Sequence, residues 1–218
     1  MYASAILFDL DGTLVDTAGD IAAALDALLV ERGHRVLGES VARALVGDGA
    51  RVLIEKGWKA AGAPPPSPVE LDALTRRWFD LYEADIARLS RPYPGVAETL
   101  AGLRGRGKKL AVVTNKADRP AAKLLAATKL DGFFDAVVGG DVPFRKPDPR
   151  HVRAGLAALG VMAPDAVFVG DSPNDAKSAR AAGLRFLAVP YGYAHGPVAA
   201  LAADRVVANF GELMGAIR

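Results

Sequence analysis

The chain has 218 residues, 51% hydrophobic and 24% charged, which suits one large domain or a main domain with a smaller companion and excludes a disordered chain. Basic side chains number 27 and acidic ones 25, so the net charge of +2 gives no argument for nucleic-acid binding. Cysteine is absent, which excludes disulfides, thiolate metal sites and cysteine nucleophiles, and the three histidines (His34, His151, His195) have no ligand-like spacing.

In chain order, the first apolar run, 5–9, reads as a strand ending in Asp9 and is too short for a signal peptide. No stretch approaches 18 uncharged apolar residues, so no membrane partner is expected and the expected location is the cytoplasm. Helix-like stretches follow at 19–32, 40–61 and 68–89, the last two separated by a proline-rich surface loop at 63–68. Trp58 and Trp78 fall on these stretches and read as packing residues. The segment Arg91-Pro92-Tyr93-Pro94-Gly95 then re-enters the core through restricted backbone. About 100 residues separate Asp9 from Leu110, where a βαβ unit needs only ~30. The excess predicts a helical domain at 17–90 inserted into a core made of 1–16 and 91–218.

Beyond the insertion, short runs rich in Val, Leu and Phe at 110–114, 136–138, 167–170 and 186–189, with a weaker one at 205–207, alternate with helical stretches at 117–128, 149–159 and 174–182. Runs of this kind are buried on both faces, and the alternation predicts an α/β fold: a Rossmann-like parallel sheet with helices on both sides. Residues 102–109 nearly spell a nucleotide-binding loop, but they lack the closing Ser or Thr and precede a strand. A basic helix end explains them better. His195 reads as a loop residue.

In open parallel sheets, ligands bind beyond the carboxyl ends of the strands. Those ends carry Asp9-Leu10-Asp11-Gly12-Thr13, Thr114-Asn115, and Gly170-Asp171-Ser172 with Asp175 beyond, while Lys146 follows the third strand at a distance. Asp9 and Asp11 are two apart, so extended backbone turns both the same way. With Asp171 they make a negative cluster that a hard dication would relieve, and a set of oxygens without His or Cys points to Mg²⁺. Thr114 and Lys146 suit the remaining oxygens of a phosphate, and the helix start after Thr114 offers free N–H groups. One carboxylate of the pair suits nucleophilic attack on phosphorus, the other proton transfer to and from the leaving oxygen. Asp175 also suits a helix cap. Asp-x-Asp-Gly-Thr arises by chance on the order of once per thousand chains of this length, so the set is specific.

The run Phe8-Asp9-Leu10-Asp11-Gly12-Thr13-Leu14-Val15-Asp16-Thr17 resembles the first motif of the haloacid dehalogenase-like hydrolases. Val112-Val113-Thr114-Asn115, Lys146-Pro147-Asp148-Pro149 and Gly170-Asp171-Ser172-Pro173-Asn174-Asp175 are similar to the other three motifs, in family order. The resemblance implies that the insertion is a helical cap. It implies Asp9 as nucleophile and Asp11 as acid/base, with Mg²⁺ held by Asp9, the Asp11 carbonyl and Asp171 and supported by Asp175. It also implies phosphate binding by Thr114, Asn115 and Lys146. Asp11 favours phosphoryl over carbon–halogen chemistry. Residues 41–50 and Tyr191-Gly192-Tyr193 resemble phosphoglycolate phosphatases in particular. That likeness implies a small phosphorylated metabolite, 2-phosphoglycolate first, with Arg43 or Arg51 of the cap meeting its carboxylate. A phosphatase of sugar phosphates or pyrophosphate, a sugar phosphomutase, a phospho-acceptor regulatory domain and an inactive binding protein are the alternatives. The expected assembly is a monomer or homodimer.

Overall fold

A computed structural model describes residues 1–193 and 196–218; His195 lies outside the described residues. The core strands are β1 (Ala5–Phe8), β4 (Lys109–Val113), β5 (Ala136–Val138), β6 (Ala166–Gly170), β7 (Arg185–Ala188) and β8 (Arg205–Val206), with β2 (Val15–Asp16) and β3 (Arg91–Pro92) apart from them. Among the described residues the main sheet is parallel throughout, in the order β5-β4-β1-β6-β7-β8. Ranked by position along the chain this is 3-2-1-4-5-6, the doubly wound Rossmann order, and strand order reverses between β1 and β6. The expected strands are all present, each shifted by no more than one residue at either end.

Side chains of successive strand residues alternate between two apolar layers. Ile6, Phe8, Val112, Val167 and Val169 face α5 (Val96–Gly105), α6 (Asp118–Ala127) and α9 (Leu213–Ala216). Ala5, Leu7, Ala111, Val113 and Phe168 face α7 (Pro149–Leu159) and α8 (Pro173–Ala182). The basic 102–109 segment is the end of α5 and the turn into β4, not a phosphate loop.

Between β2 and β3 the chain forms α1 (Ala18–Glu31), α2 (Glu39–Arg43), α3 (Ala50–Ala60) and α4 (Pro68–Ala84). Their apolar faces meet in a cluster of their own around Leu25, Leu28, Ile54, Trp58, Leu74 and Trp78. Both tryptophans are therefore packed, as expected, and the helices form a cap-like insertion. The antiparallel pairing of Val15 with Pro92 and Asp16 with Arg91 brings the two ends of the insertion together in a narrow neck, which the sequence reading does not contain. A single helix over 40–61 is not formed. The chain breaks at Val46-Gly47-Asp48-Gly49, where Gly47 and Gly49 take φ of 129° and 89°, values that glycine adopts without strain. The 68–89 stretch likewise ends early, at Ala84.

Candidate active site

Asp9 sits just past β1 and Asp171 just past β6, adjacent strands on either side of the order reversal, so sheet register alone sets them side by side. Asp175 joins them from the first turn of α8: oxygens of Asp9, Asp171 and Asp175 all lie within 4.8 Å of one another. Lys146 closes the group from beneath, its Nζ donating to Asp9 Oδ1 at 2.8 Å and Asp175 Oδ1 at 2.7 Å. Asp175 both caps and pairs. Its Oδ2 accepts from the Ser172 backbone N–H and hydroxyl while Oδ1 takes Lys146. Asp171 accepts from the Thr13 hydroxyl at 2.8 Å and from the Tyr193 backbone N–H at 2.6 Å. Gly12, at φ 81°, makes the turn that lets this loop pass Asp171; a Cβ there would stand 2.6 Å from its Oδ2.

The charge balance is incomplete. Three carboxylates share one ammonium in surroundings that are nearly dry, with Lys146 and Asp175 side chains 2% and 0% exposed. Burial drives the Asp9 carboxyl upward, against the pull of Lys146. Burial, and then Asp175 and Asp9, drive Asp171 upward too. Burial opposes the charge on Lys146, but Asp175 and Asp9 outweigh it and hold the ammonium protonated. A divalent cation on the three oxygens would remove the deficit, and the residues present fit one.

Asp11 lies in the same cleft but its side chain is not part of that triple. Thr17 Oγ1 donates to it at 2.8 Å, and Lys116 Nζ stands 3.1 and 3.3 Å from its two oxygens. The cleft is lined on the core side by Asp9, Asp11, Thr114, Asn115 and Asp171 and on the cap side by apolar groups that include Ile21, Leu53 and Phe79. Thr114 is 1% exposed and its Oγ1 accepts from the Lys116 N–H. Asn115 is fully engaged within the protein: Nδ2 donates to the carbonyls of Lys146 and Gly47, and Oδ1 accepts from the Lys146 N–H. It braces the Lys146 loop and ties it to the cap, so its side chain has no free donor for a ligand.

Arg51 is not brought to the cleft; it pairs with Asp72 on the outer side of the cap, its side chain 42% exposed. Arg43 pairs with Asp16 at 3.1 Å and Glu39 at 2.8 Å, its guanidinium 5.0 Å over the Tyr193 ring. The sequence reading also passed over Lys116 and His151. A lysine just before the start of α6, where the helix dipole disfavours a cation, was the available signal for Lys116. His151 is buried, its Nδ1 accepting from the Lys146 N–H while Nε2 faces the Gly139 carbonyl. Nothing about its spacing reveals that.

A family model described as haloacid dehalogenase-like hydrolase matches residues 6–189, which contain every residue of this cluster. The chain belongs to the haloacid dehalogenase-like hydrolases. Among members of this hydrolase family, it is 47% identical over 211 residues to phosphoglycolate phosphatase of Caulobacter vibrioides, covering 96% of this chain and 89% of that one. Phosphoglycolate phosphatase 1 of Pseudomonas aeruginosa is 40% identical over 214 residues, covering 96% and 78%. The crystal structure of a predicted phosphoglycolate phosphatase from Haemophilus somnus 129PT superposes with a TM-score of 0.91 at 31% identity, over 98% of this chain and 97% of that one. CbbY from Rhodobacter sphaeroides, solved with phosphate, gives 0.83 at 29%, over 97% and 96%. With its carboxylate cluster and these relatives, the protein is an enzyme of the hydrolase class. No described helix is long and apolar enough to cross a membrane.

Proposed function

We propose that the protein is a Mg²⁺-dependent cytoplasmic phosphatase that converts 2-phosphoglycolate to glycolate and inorganic phosphate. In this reading residues 17–90 form a cap domain over a catalytic core of 1–16 and 91–218. The observation that carries it is the meeting of Asp9, Asp171, Asp175 and Lys146 under a cleft that Asp11 and Thr114 also line. The names of the relatives agree with it.

Asp9, Asp171 and Asp175 would hold the metal, with the Asp11 carbonyl as a further ligand; when bound, Mg²⁺ supplies positive charge to the phosphate oxygens and to the crowded carboxylates. An Asp9 oxygen attacks phosphorus, the bond to the ester oxygen breaks, and an aspartyl phosphate forms. Asp11 gives its proton to the departing glycolate oxygen. The carboxylate so formed takes a proton from water, whose oxygen attacks phosphorus, releasing phosphate and restoring Asp9. Lys146 shifts one donor from Asp9 to the phosphate, and the Thr114 hydroxyl donates to another of its oxygens. The apolar cap wall excludes water other than the attacking molecule.

Steady phosphate release from 2-phosphoglycolate with Mg²⁺, its loss in chelator, and a phosphoryl group mapped to Asp9 in trapped enzyme are the expected results. Asp9→Asn is expected to lower turnover by on the order of 10⁴-fold or more. A phosphoryl group on any other residue, or a need for a bisphosphate activator, overturns the reading. A sugar bisphosphate is the second substrate class to assay, because CbbY has also been solved with xylulose-1,5-bisphosphate.

A further inference from the structure

Lys116 is the one cation among the described residues that line the cleft. Its side chain is 6% exposed, a costly place for an ammonium unless charge is to be met there. Its Nζ stands 3.1 Å from an Asp11 carboxylate oxygen. The arginines that the sequence offered for a substrate carboxylate, Arg43 and Arg51, are not among the residues that line the cleft.

Above Lys116 the cap presents a rigid aromatic pair. Trp78 and Tyr82, one turn apart on α4, stack with centroids 4.9 Å apart and planes at 10°, and Lys116 Nζ lies 4.5 Å from the centre of the Tyr82 ring. Both rings line the cleft; the Tyr82 hydroxyl oxygen interacts with the Lys116 ammonium, and Nε1 of Trp78 is buried without a hydrogen-bond partner. Burial pushes the Tyr82 hydroxyl up to about 12, so it remains a donor at neutral pH. A cation, a hydroxyl and an unused indole donor on residues that line one cleft suit an anion.

Its position on the substrate follows from Asp11. Lys116 touches both Asp11 oxygens, and Asp11 in the proposed reaction protonates the ester oxygen. An anion that reaches Lys116 must therefore hang close to that oxygen. We propose that Lys116, with Trp78 and Tyr82, seats a carboxylate on the carbon bearing the ester oxygen, so that the enzyme selects phosphate esters of 2-hydroxy acids. The assignment rests on the phosphatase reading and names the residues that set its specificity.

The test compares kcat/KM for 2-phosphoglycolate with ethyl phosphate, and for 2-phospholactate with isopropyl phosphate, each neutral ester having a methyl in place of the carboxylate. The native enzyme is expected to prefer the acid in each pair. Lys116→Met is expected to cut that preference roughly 10- to 100-fold, chiefly through KM, and Lys116→Arg to retain part of it. Tyr82→Phe keeps the ring against the ammonium and is expected to cut the preference a few-fold. Lys116→Gln, with the same expectation as the methionine variant, serves if that variant does not fold. An equal fall for acid and neutral esters, seen in kcat with a displaced pH profile, would show that Lys116 acts through Asp11 alone and overturns the proposal. So would a native enzyme indifferent to the carboxylate. Turnover of phospholactate without phosphoglycolate would instead sink the substrate named above and leave the Lys116 assignment standing.

Discussion

The cleft end of the core and the outer surface of the cap handle charge in opposite ways. In the core, Lys146 pairs with Asp9 and Asp175, and Lys116 with Asp11, through side chains at most 13% exposed. On the cap, the pairs Arg51–Asp72, Lys56–Asp48 and Arg77–Glu31 all have side chains at least 37% exposed. Solvated pairs of that sort contribute little and constrain little, whereas a buried charge that loses its partner is severely penalised. The candidate site groups thus sit where sheet register and low dielectric hold them, and the cap adds an apolar wall, an aromatic pair and a backbone carbonyl, that of Gly47. Division of labour follows from rigidity: strand ends fix positions that a bundle on a two-strand neck does not.

The largest effect that could break this contrast is on stability. Lys146→Met leaves Asp9 and Asp175 without their shared cation, and urea unfolding without divalent metal is expected to show a loss of about 3–5 kcal/mol. A loss under about 1 kcal/mol would place the core pair in the same class as the surface ones.

Tyr193 probes the joint between the two regions. Its hydroxyl accepts from the backbone N–H groups of Thr17 and Ala18 and donates to Asp16, while its own N–H holds Asp171. Tyr193→Phe strips the neck of that acceptor, at an expected cost of roughly 1–3 kcal/mol by thermal or chemical unfolding. No change would mean the neck is held by β2 and β3 alone.

His151 sharpens the picture by pH. Burial and the nearby Lys146 ammonium lower its pKa from 6.5 to about 4, so between those values the unfolded chain binds a proton that the folded one refuses. Stability is therefore full above about pH 6.5 and falls as pH drops toward 4, by at most about 1.4 kcal/mol per unit from this group. Unfolding of His151→Asn across that window, compared with the native chain, isolates this share as the part of the pH slope that disappears.

The smallest effect belongs to the cap surface. Arg51→Ala is expected to change stability by less than about 1 kcal/mol and to leave the ratio of activities on phosphoglycolate and glycerol phosphate unaltered. A shifted ratio would return Arg51 to the cleft.

Much of this was readable from local pattern. Apolar runs closed by Asp9, Thr114 and Asp171 mark strand ends, and a parallel sheet collects strand ends at one edge, so the core candidates converge as expected. The exceptions have particular causes. Residues 40–61 look like one amphipathic helix because the apolar period runs on through the Gly47–Gly49 break, whose Gly47 carbonyl is anchored by Asn115, 68 positions away. Asn115 reads as a ligand group because it follows Thr114, and only its three contacts reveal a brace. Arg51 reads as a cap cation facing substrate because a helix sequence does not say which way its polar face will dock.

The sequence by itself determined the doubly wound sheet, the place of the insertion and the carboxylates at the strand ends, because each is encoded by neighbours within a few residues. Tertiary structure alone decided which cation neutralises which acid: Lys146 beneath Asp9 and Asp175, Lys116 beside Asp11 under the Tyr82 ring. Electrostatic attraction depends on distance in space and on exclusion of water. Both are properties of packing between segments remote along the chain.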